Sequence, residues 1–309
     1  MLKERVYTKH YDEEFGLLTT GNFATVTSTD AILIDWPQIE RDGFDTSVKF
    51  NTVLNAVAVR TYETLAEIAE LTGHKDDADT FAELAEDIKD AMIDTLYDAD
   101  KGAFADGLNA DGTPSTHFSQ HATAYALAFG IYDSQAMADA MAATIEKQGE
   151  IRMSVYGSFF LLKGLYDSGN GDVANKLMLN EDDSEGVRTW AYMLYTLGAT
   201  ITAEGWNSKI KTNMTMSHPW GAAPAYAIMS GIFGIKPTKA GYEAFDVRFQ
   251  TEGLTKAELT VPTIKGSITA SFEDGDVYKA SVIVPANTKA TVYLPATEGA
   301  TLTVNGEAA

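Results

Sequence analysis

Cysteine is absent from all 309 residues. That excludes disulfides, thiolate metal ligands and a cysteine nucleophile, and it leaves the redox compartment open. Basic residues are scarce as well: 23 lysines and arginines face 44 aspartates and glutamates, a net charge of -21 with an isoelectric point near 4.5. So acidic a surface repels phosphate backbones and anionic lipid, so neither nucleic acid nor membrane is an expected partner. The plain reading of the acidity itself is solubility. No window of about 18 apolar residues occurs, and the opening "MLKERVYTKHYDEEF" lacks the apolar core of a signal peptide. The chain reads as soluble, and as cytoplasmic if it is complete.

What is present is helical periodicity, in pairs. "NTVLNAVAVRTYETLAEIAELTG" spaces Val53, Leu54, Val57, Tyr62, Leu65 and Ile68 near helical intervals and closes on Gly73, a C-cap signal. "HKDDADTFAELAEDIKDAMIDTLYD" follows with Phe81, Leu84, Ile88, Ile93 and Leu96 on one stripe and acids in its first turn. A second pair is "THFSQHATAYALAFGI" with "SQAMADAMAATIEKQ", and a third is "SVYGSFFLLKGLYDSG" with "GDVANKLMLN". "GVRTWAYMLYTLGA" and "PWGAAPAYAIMSGIFGI" make a fourth. Stacked hairpins of this kind build an α-solenoid or an α/α toroid. The first helix of each pair is apolar almost all round and the second amphipathic, the inequality of an inner ring wrapped by an outer one. Small residues in the first helices would let them approach closely.

After Pro237 the period changes to short alternating runs rich in Val, Thr, Ile and Tyr, broken by Gly, Pro and Asn. "SITASFEDGDVYKASVIV" reads as a hairpin with Asp274-Gly275 at its turn. The expected organisation is an N-terminal segment over residues 1–50, a helical toroid portion over 51–236 and a small antiparallel β-sandwich over 237–309.

Chemistry in a toroid belongs to the loops at one end of the inner helices, and three loops stand out. "LIDWPQIERDGFD", residues 33–45, gathers Asp35, Glu40, Asp42 and Asp45 about Arg41, with Trp36 and Phe44 beside them. Acids that accept hydroxyl hydrogen bonds and a ring that stacks on C–H faces suit a sugar; a capping loop whose arginine pairs with local acids fits equally. "THFSQHATA" sets His117 and His121 four apart, a spacing open to a metal. It has no third ligand nearby, so no metal and no cofactor are expected. In "TAEGWNSKIKTNMTMSHPWGAAPAYAI", Glu204 sits between glycine and tryptophan, with His218 and Trp220 a few residues on. Burial among indoles would raise the pKa of Glu204 toward that of a working acid or base.

In these residues the sequence resembles the bacterial α-L-rhamnosidases of glycoside hydrolase family 78. "LIDWPQIERDGFD", "NTVLNA", "AEIAELTGHKDDAD", "ATITAEGWN", "SHPWGAAPAY", "GIFGIKPTKAGY" and "TVPTIKGSITASF" fall in that family's order over nearly the whole chain. The resemblance implies an (α/α)6 barrel followed by a β-sandwich, and inverting hydrolysis of terminal α-L-rhamnosides in rhamnose-containing glycosides or oligosaccharides. It implies that Glu204 is the general base, that Trp206, His218 and Trp220 shape the sugar pocket, and that Asp35, Trp36, Arg41 and Asp42 form the loop near the substrate. The family's general acid sits in a motif that precedes the Asp-Trp-Pro loop and is expected to lie outside this sequence. "DWPQIER" has a superficial likeness to that motif that would make Glu40 a stand-in, but the following "RDGFD" fits the second loop instead. About eight barrel helices are legible where six closed pairs need twelve. The expectation is therefore the carboxyl-terminal portion of such an enzyme, weak or inactive alone, with self-association or a missing N-terminal portion covering its open edge. Two other readings stay open: a non-catalytic carbohydrate-binding helical scaffold, and an α/α-barrel hydrolase or lyase acting on another sugar.

Overall fold

A computed structural model describes residues 10–20, 34–295 and 299–308; Leu33, which opens the acidic loop, and much of the expected 1–50 segment lie outside them. By internal contacts the chain divides into a unit over residues 1–224 and a unit over 225–309.

In the first unit the hairpins form where the periodicity places them. Helix α1 (Thr52–Leu71) is capped by Asn51, whose Oδ1 accepts from Leu54 N at 2.9 Å. It ends at Gly73, which takes φ +80° with no Cβ to oppose it. Helix α2 (Lys75–Leu96) returns with Asp76 and Asp77 in its first turn, where carboxylates oppose the positive end of the helix dipole. Ser119 and Ser134 cap α3 (Gln120–Ala128) and α4 (Gln135–Gln148) by accepting from Ala122 N and Met137 N. The third pair is α5 (Ser158–Asp167) and α6 (Gly171–Met178).

All nine residues of α3 are buried, whereas α4 buries one stripe: Met137, Ala138, Met141, Ala142 and Ile145. This is the inner and outer inequality of the sequence, although the short α6 is mostly buried too. The inner helices α3 and α5 pack in parallel. Near their starts Gly157 faces Asp35 beside His121, and near their ends Gly164 meets α3, where a Cβ would stand 2.7 Å from Ala128 N. Glycine at 164 thus permits this close approach of α5 to α3.

The fourth pair departs from the expected regular helices. "GVRTWAYMLYTLGA" holds a five-residue π-helical turn, Tyr192–Thr196. "PWGAAPAYAIMSGIFGI" is divided into a 3-10 turn, Pro219–Gly221, a short helix α7 (Ala223–Ala227) and another π turn, Ile228–Ile232.

Among its described residues the second unit holds a two-stranded sheet that pairs Thr303–Val304 with Glu307–Ala308, and two three-stranded ones. One runs β5 (Lys279–Ile283), β4 (Gly266–Glu273), β3 (Lys256–Thr263), all antiparallel. The other runs β6 (Lys289–Tyr293), β2 (Ala244–Arg248), β1 (Lys236–Pro237), and its β6–β2 pairing is parallel. The β4–β5 hairpin forms, but it pairs Glu273 with Lys279, so Asp274-Gly275 opens a longer loop and is not itself a two-residue turn. Phe233, Phe249 and Phe272 meet at centroid distances of 5.7–6.0 Å between the sheets and are all buried. Each such ring contributes about 1.5–3 kcal/mol by leaving water.

Candidate active site

Because the inner helices are parallel, the stretches that lead into their N-termini gather at one end of the first unit. The acidic loop is pinned there by its own carboxylates. Asp35 is fully buried, and both of its oxygens are committed. Oδ1 accepts from Trp36 N at 2.8 Å and from the Ser154 hydroxyl. Oδ2 accepts from Ser154 N at 2.9 Å and lies 2.7 Å from His121 Nε2. A carboxylate has about four acceptor positions, and here protein fills them. Asp35 therefore braces the loop from behind and has no oxygen to offer a sugar directly.

The neighbouring residues follow the same logic. Arg41, buried, donates from Nε to Asp35 O at 2.9 Å. Asp42 adopts φ +49° and accepts from Gln120 N at 2.9 Å, placing its charge at the N-terminus of α3. Asp45 donates its N–H to the buried Asp106 and accepts from Ser47 and Ser115. Phe44 is buried. Trp36 alone of the loop's candidates presents an open face, with 43% of its surface exposed. Asp42 thus caps α3, while the Nε contact of Arg41 is to a backbone carbonyl and not to a local carboxylate as the capping reading expected.

His117 and His121 do not converge. His117 Nδ1 lies 2.7 Å from Asp106 Oδ2, while His121 turns to Asp35. Glu40, in the same loop, is buried and paired with Arg188 Nε at 2.7 Å. Burial, reinforced by Asp35, pushes its carboxyl above the usual glutamate range against the opposing pull of Arg188.

The Glu204 stretch folds back on itself. Glu204 N donates to Thr215 O at 2.9 Å and His218 N to Thr202 O at 2.8 Å, so residues 202–204 lie along 215–218. The glycines in this turn answer to crowding: a Cβ on Gly221 would stand 2.6 Å from Ala203 O. Trp206 is fully buried; it donates to Met153 O at 2.7 Å and meets Trp190 edge-on at 5.0 Å. Met153 adjoins Ser154, the residue that grips Asp35, so one short segment ties both loops together. Trp220 is half-buried, donates to Glu204 O at 2.8 Å, and packs beside Tyr156 at 5.5 Å and His218 at 4.6 Å.

The environment of Glu204 corrects the sequence-based expectation. Its side chain keeps 15% of its surface exposed. Its Oε2 accepts from Thr215 N at 2.8 Å and Thr215 Oγ1 at 3.2 Å, and its Oε1 lies 3.0 Å from Lys211 Nζ. The Thr215 N–H first, then the Lys211 ammonium, hold the carboxyl below the usual glutamate range, and these interactions outweigh desolvation. The carboxylate is held in place by these partners, and its charged form is favoured over that of an ordinary glutamate. Lys211 was not legible as its partner; the one hint is Gly205, whose missing Cβ would have stood 3.3 Å from Lys211 Cβ.

Comparison with known proteins places these features. The family profile described as the bacterial alpha-L-rhamnosidase 6 hairpin glycosidase domain matches residues 7–231, and that of the bacterial alpha-L-rhamnosidase C-terminal domain matches residues 234–309. No curated protein matches the sequence. Among solved structures, the GH78 family rhamnosidase of Bacillus sp. GL1 is similar at 25% identity and a TM-score of 0.70, over 94% of this chain and 29% of that one. The α-L-rhamnosidase of Aspergillus terreus gives 19% and 0.68 over 85% and 30%. That of Streptomyces avermitilis, complexed with L-rhamnose, gives 22% and 0.64 over 87% and 26%. The chain thus spans about three tenths of the length of the solved structures it resembles. With both profiles in order and the helical hairpins and β tail they describe, the chain belongs to the bacterial α-L-rhamnosidase family, as a six-hairpin glycosidase domain followed by the family's C-terminal domain.

Proposed function

We propose that the chain carries the water-activating half of an inverting α-L-rhamnosidase site, with Glu204 as general base. Inversion uses two carboxyl groups about 6.5–9.5 Å apart, one protonating the leaving oxygen and one deprotonating a water on the opposite face of the sugar. The observation that supports this role most directly is the anchoring of Glu204: Thr215 and Lys211 hold it charged and in one orientation beside the Trp220 and His218 rings. A base must be deprotonated before it can act, and these partners favour the charged form.

In this reading Trp36, Trp220 and His218 offer surfaces to the deoxy-sugar. Asp35, Arg41, Asp42 and Trp206 hold those surfaces in place from behind. Terminal α-L-rhamnose in glycosides or oligosaccharides is the substrate class. Glu40 is not given the acid's role: its carboxyl is sealed in the protein and tied to Arg188, with no path to a glycosidic oxygen. Assay of Glu204→Gln against an aryl α-L-rhamnoside, whose leaving group departs without the acid this half lacks, tests the proposal: the slow turnover of the unaltered protein should fall by roughly 10²–10⁴-fold in kcat. Rhamnose binding by calorimetry with no hydrolysis of that aryl rhamnoside by the unaltered protein would favour the non-catalytic carbohydrate-binding alternative.

A further inference from the structure

Resting on the reading of Glu204 as base, the geometry points to Lys211 as the residue that positions it, leaving one lone pair of Oε1 for the attacking water. Lysine is among the residues least often buried without a reason, yet only 8% of the Lys211 side chain is exposed. Its stem crosses over Gly205, where a Cβ would meet Lys211 Cβ at 3.3 Å and Cδ at 3.8 Å. The ammonium is delivered to Glu204 Oε1 at 3.0 Å and to Asn213 Oδ1 at 2.9 Å.

The acceptor arithmetic then decides what the carboxylate has left. Thr215 N and Thr215 Oγ1 fill both positions on Oε2, and Lys211 takes one on Oε1. One position remains, on Oε1, and its direction is set by where Lys211 sits. Losing the ammonium would free Oε1 and remove a charge that favours ionisation. The other lysine of the stretch is engaged elsewhere: Lys209 pairs with Glu185. Among the described residues, Lys211 is the cation paired with Glu204.

The test is a direct titration of Glu204 in the purified chain. Carboxyl carbons of 13C-labelled glutamate are followed by NMR, and Glu204→Gln identifies the resonance. In the unaltered protein Glu204 should titrate below the usual glutamate range. Lys211→Met should move its midpoint upward, and Lys211→Arg should return it toward the original. A Glu204 midpoint in the ordinary range in the unaltered protein overturns the inference, even if Lys211→Met does not fold; so does a midpoint that Lys211→Met leaves in place. With an aryl rhamnoside, Lys211→Met should shift the acid limb of kcat to higher pH while KM holds. Undiminished turnover by Glu204→Gln would remove the base assignment and leave the titration outcome standing, so the two failures are distinguishable.

Discussion

Asp35→Asn changes one atom at the point where three stretches of the first unit meet, and its cost can be worked out donor by donor. The native carboxylate accepts from two backbone N–H groups, a hydroxyl and an imidazole. Asparagine supplies one oxygen and one NH2, and either orientation conflicts with a backbone donor. With NH2 in the place of Oδ2, Ser154 N faces another donor, and His121 can accept only by moving its proton to Nδ1, which is buried without a partner among the described residues. With NH2 in the place of Oδ1, the Ser154 hydroxyl can turn and accept, but Trp36 N is opposed. One buried backbone N–H is orphaned in each case, a penalty of about 1–3 kcal/mol. Asp35→Ala orphans both, for about 2–6 kcal/mol. All four tryptophans, at 36, 190, 206 and 220, lie in the first unit, so their fluorescence during urea unfolding reports on that unit alone. An Asp35→Asn loss within the ~0.5 kcal/mol typical of surface substitutions would refute the account of Asp35 as a saturated brace.

Gly164→Ala should destabilise the first unit by about 1–3 kcal/mol through overpacking, because the added Cβ would stand 2.7 Å from Ala128 N. Urea unfolding checks this, with Gly169→Ala as a poor control since Gly169 has φ +81°, and Ser168 left untouched. Glu40→Gln tests the buried carboxyl through pH. The folded pKa of Glu40 is raised, so its contribution is full below the unfolded value and lost as pH rises through the folded one. The unaltered protein should therefore lose stability relative to Glu40→Gln as pH climbs above the usual glutamate range; a difference that is flat with pH contradicts this.

Much of the architecture was legible because burial repeats with the period of the element. The α1–α2 hairpin follows from its apolar stripes, the Asn51 cap and Gly73, all local signals. The inner character of α3 follows from the absence of a polar face. Local signals could not show the π turns at Tyr192–Thr196 and Ile228–Ile232, where the composition still reads as ordinary helix. Nor could they show the parallel β6–β2 pairing, which joins strands about forty residues apart in sequence.

The site divides along the same line. Residue types around Glu204 and in the acidic loop marked the right stretches. What each side chain does depends on partners supplied from a distance: Ser154 for Asp35, Met153 for Trp206, Lys211 and Thr215 for Glu204. An indole-rich neighbourhood suggested desolvation and an elevated pKa for Glu204, but one backbone N–H and one ammonium reverse the sign. The same expectation would have been right for Glu40, where burial prevails over its arginine.

The role of Glu204 is tested most directly by the products of Glu204→Ala with azide present. A small anion that enters the vacated space can attack the anomeric carbon in place of the activated water. From an aryl rhamnoside, whose leaving group departs without a general acid, our account predicts that the unaltered protein slowly releases the inverted sugar, that the variant loses this turnover, and that azide restores it by forming the inverted rhamnosyl azide, all read by proton NMR. Release of rhamnose with retained configuration, or full turnover by the variant without azide, would contradict it.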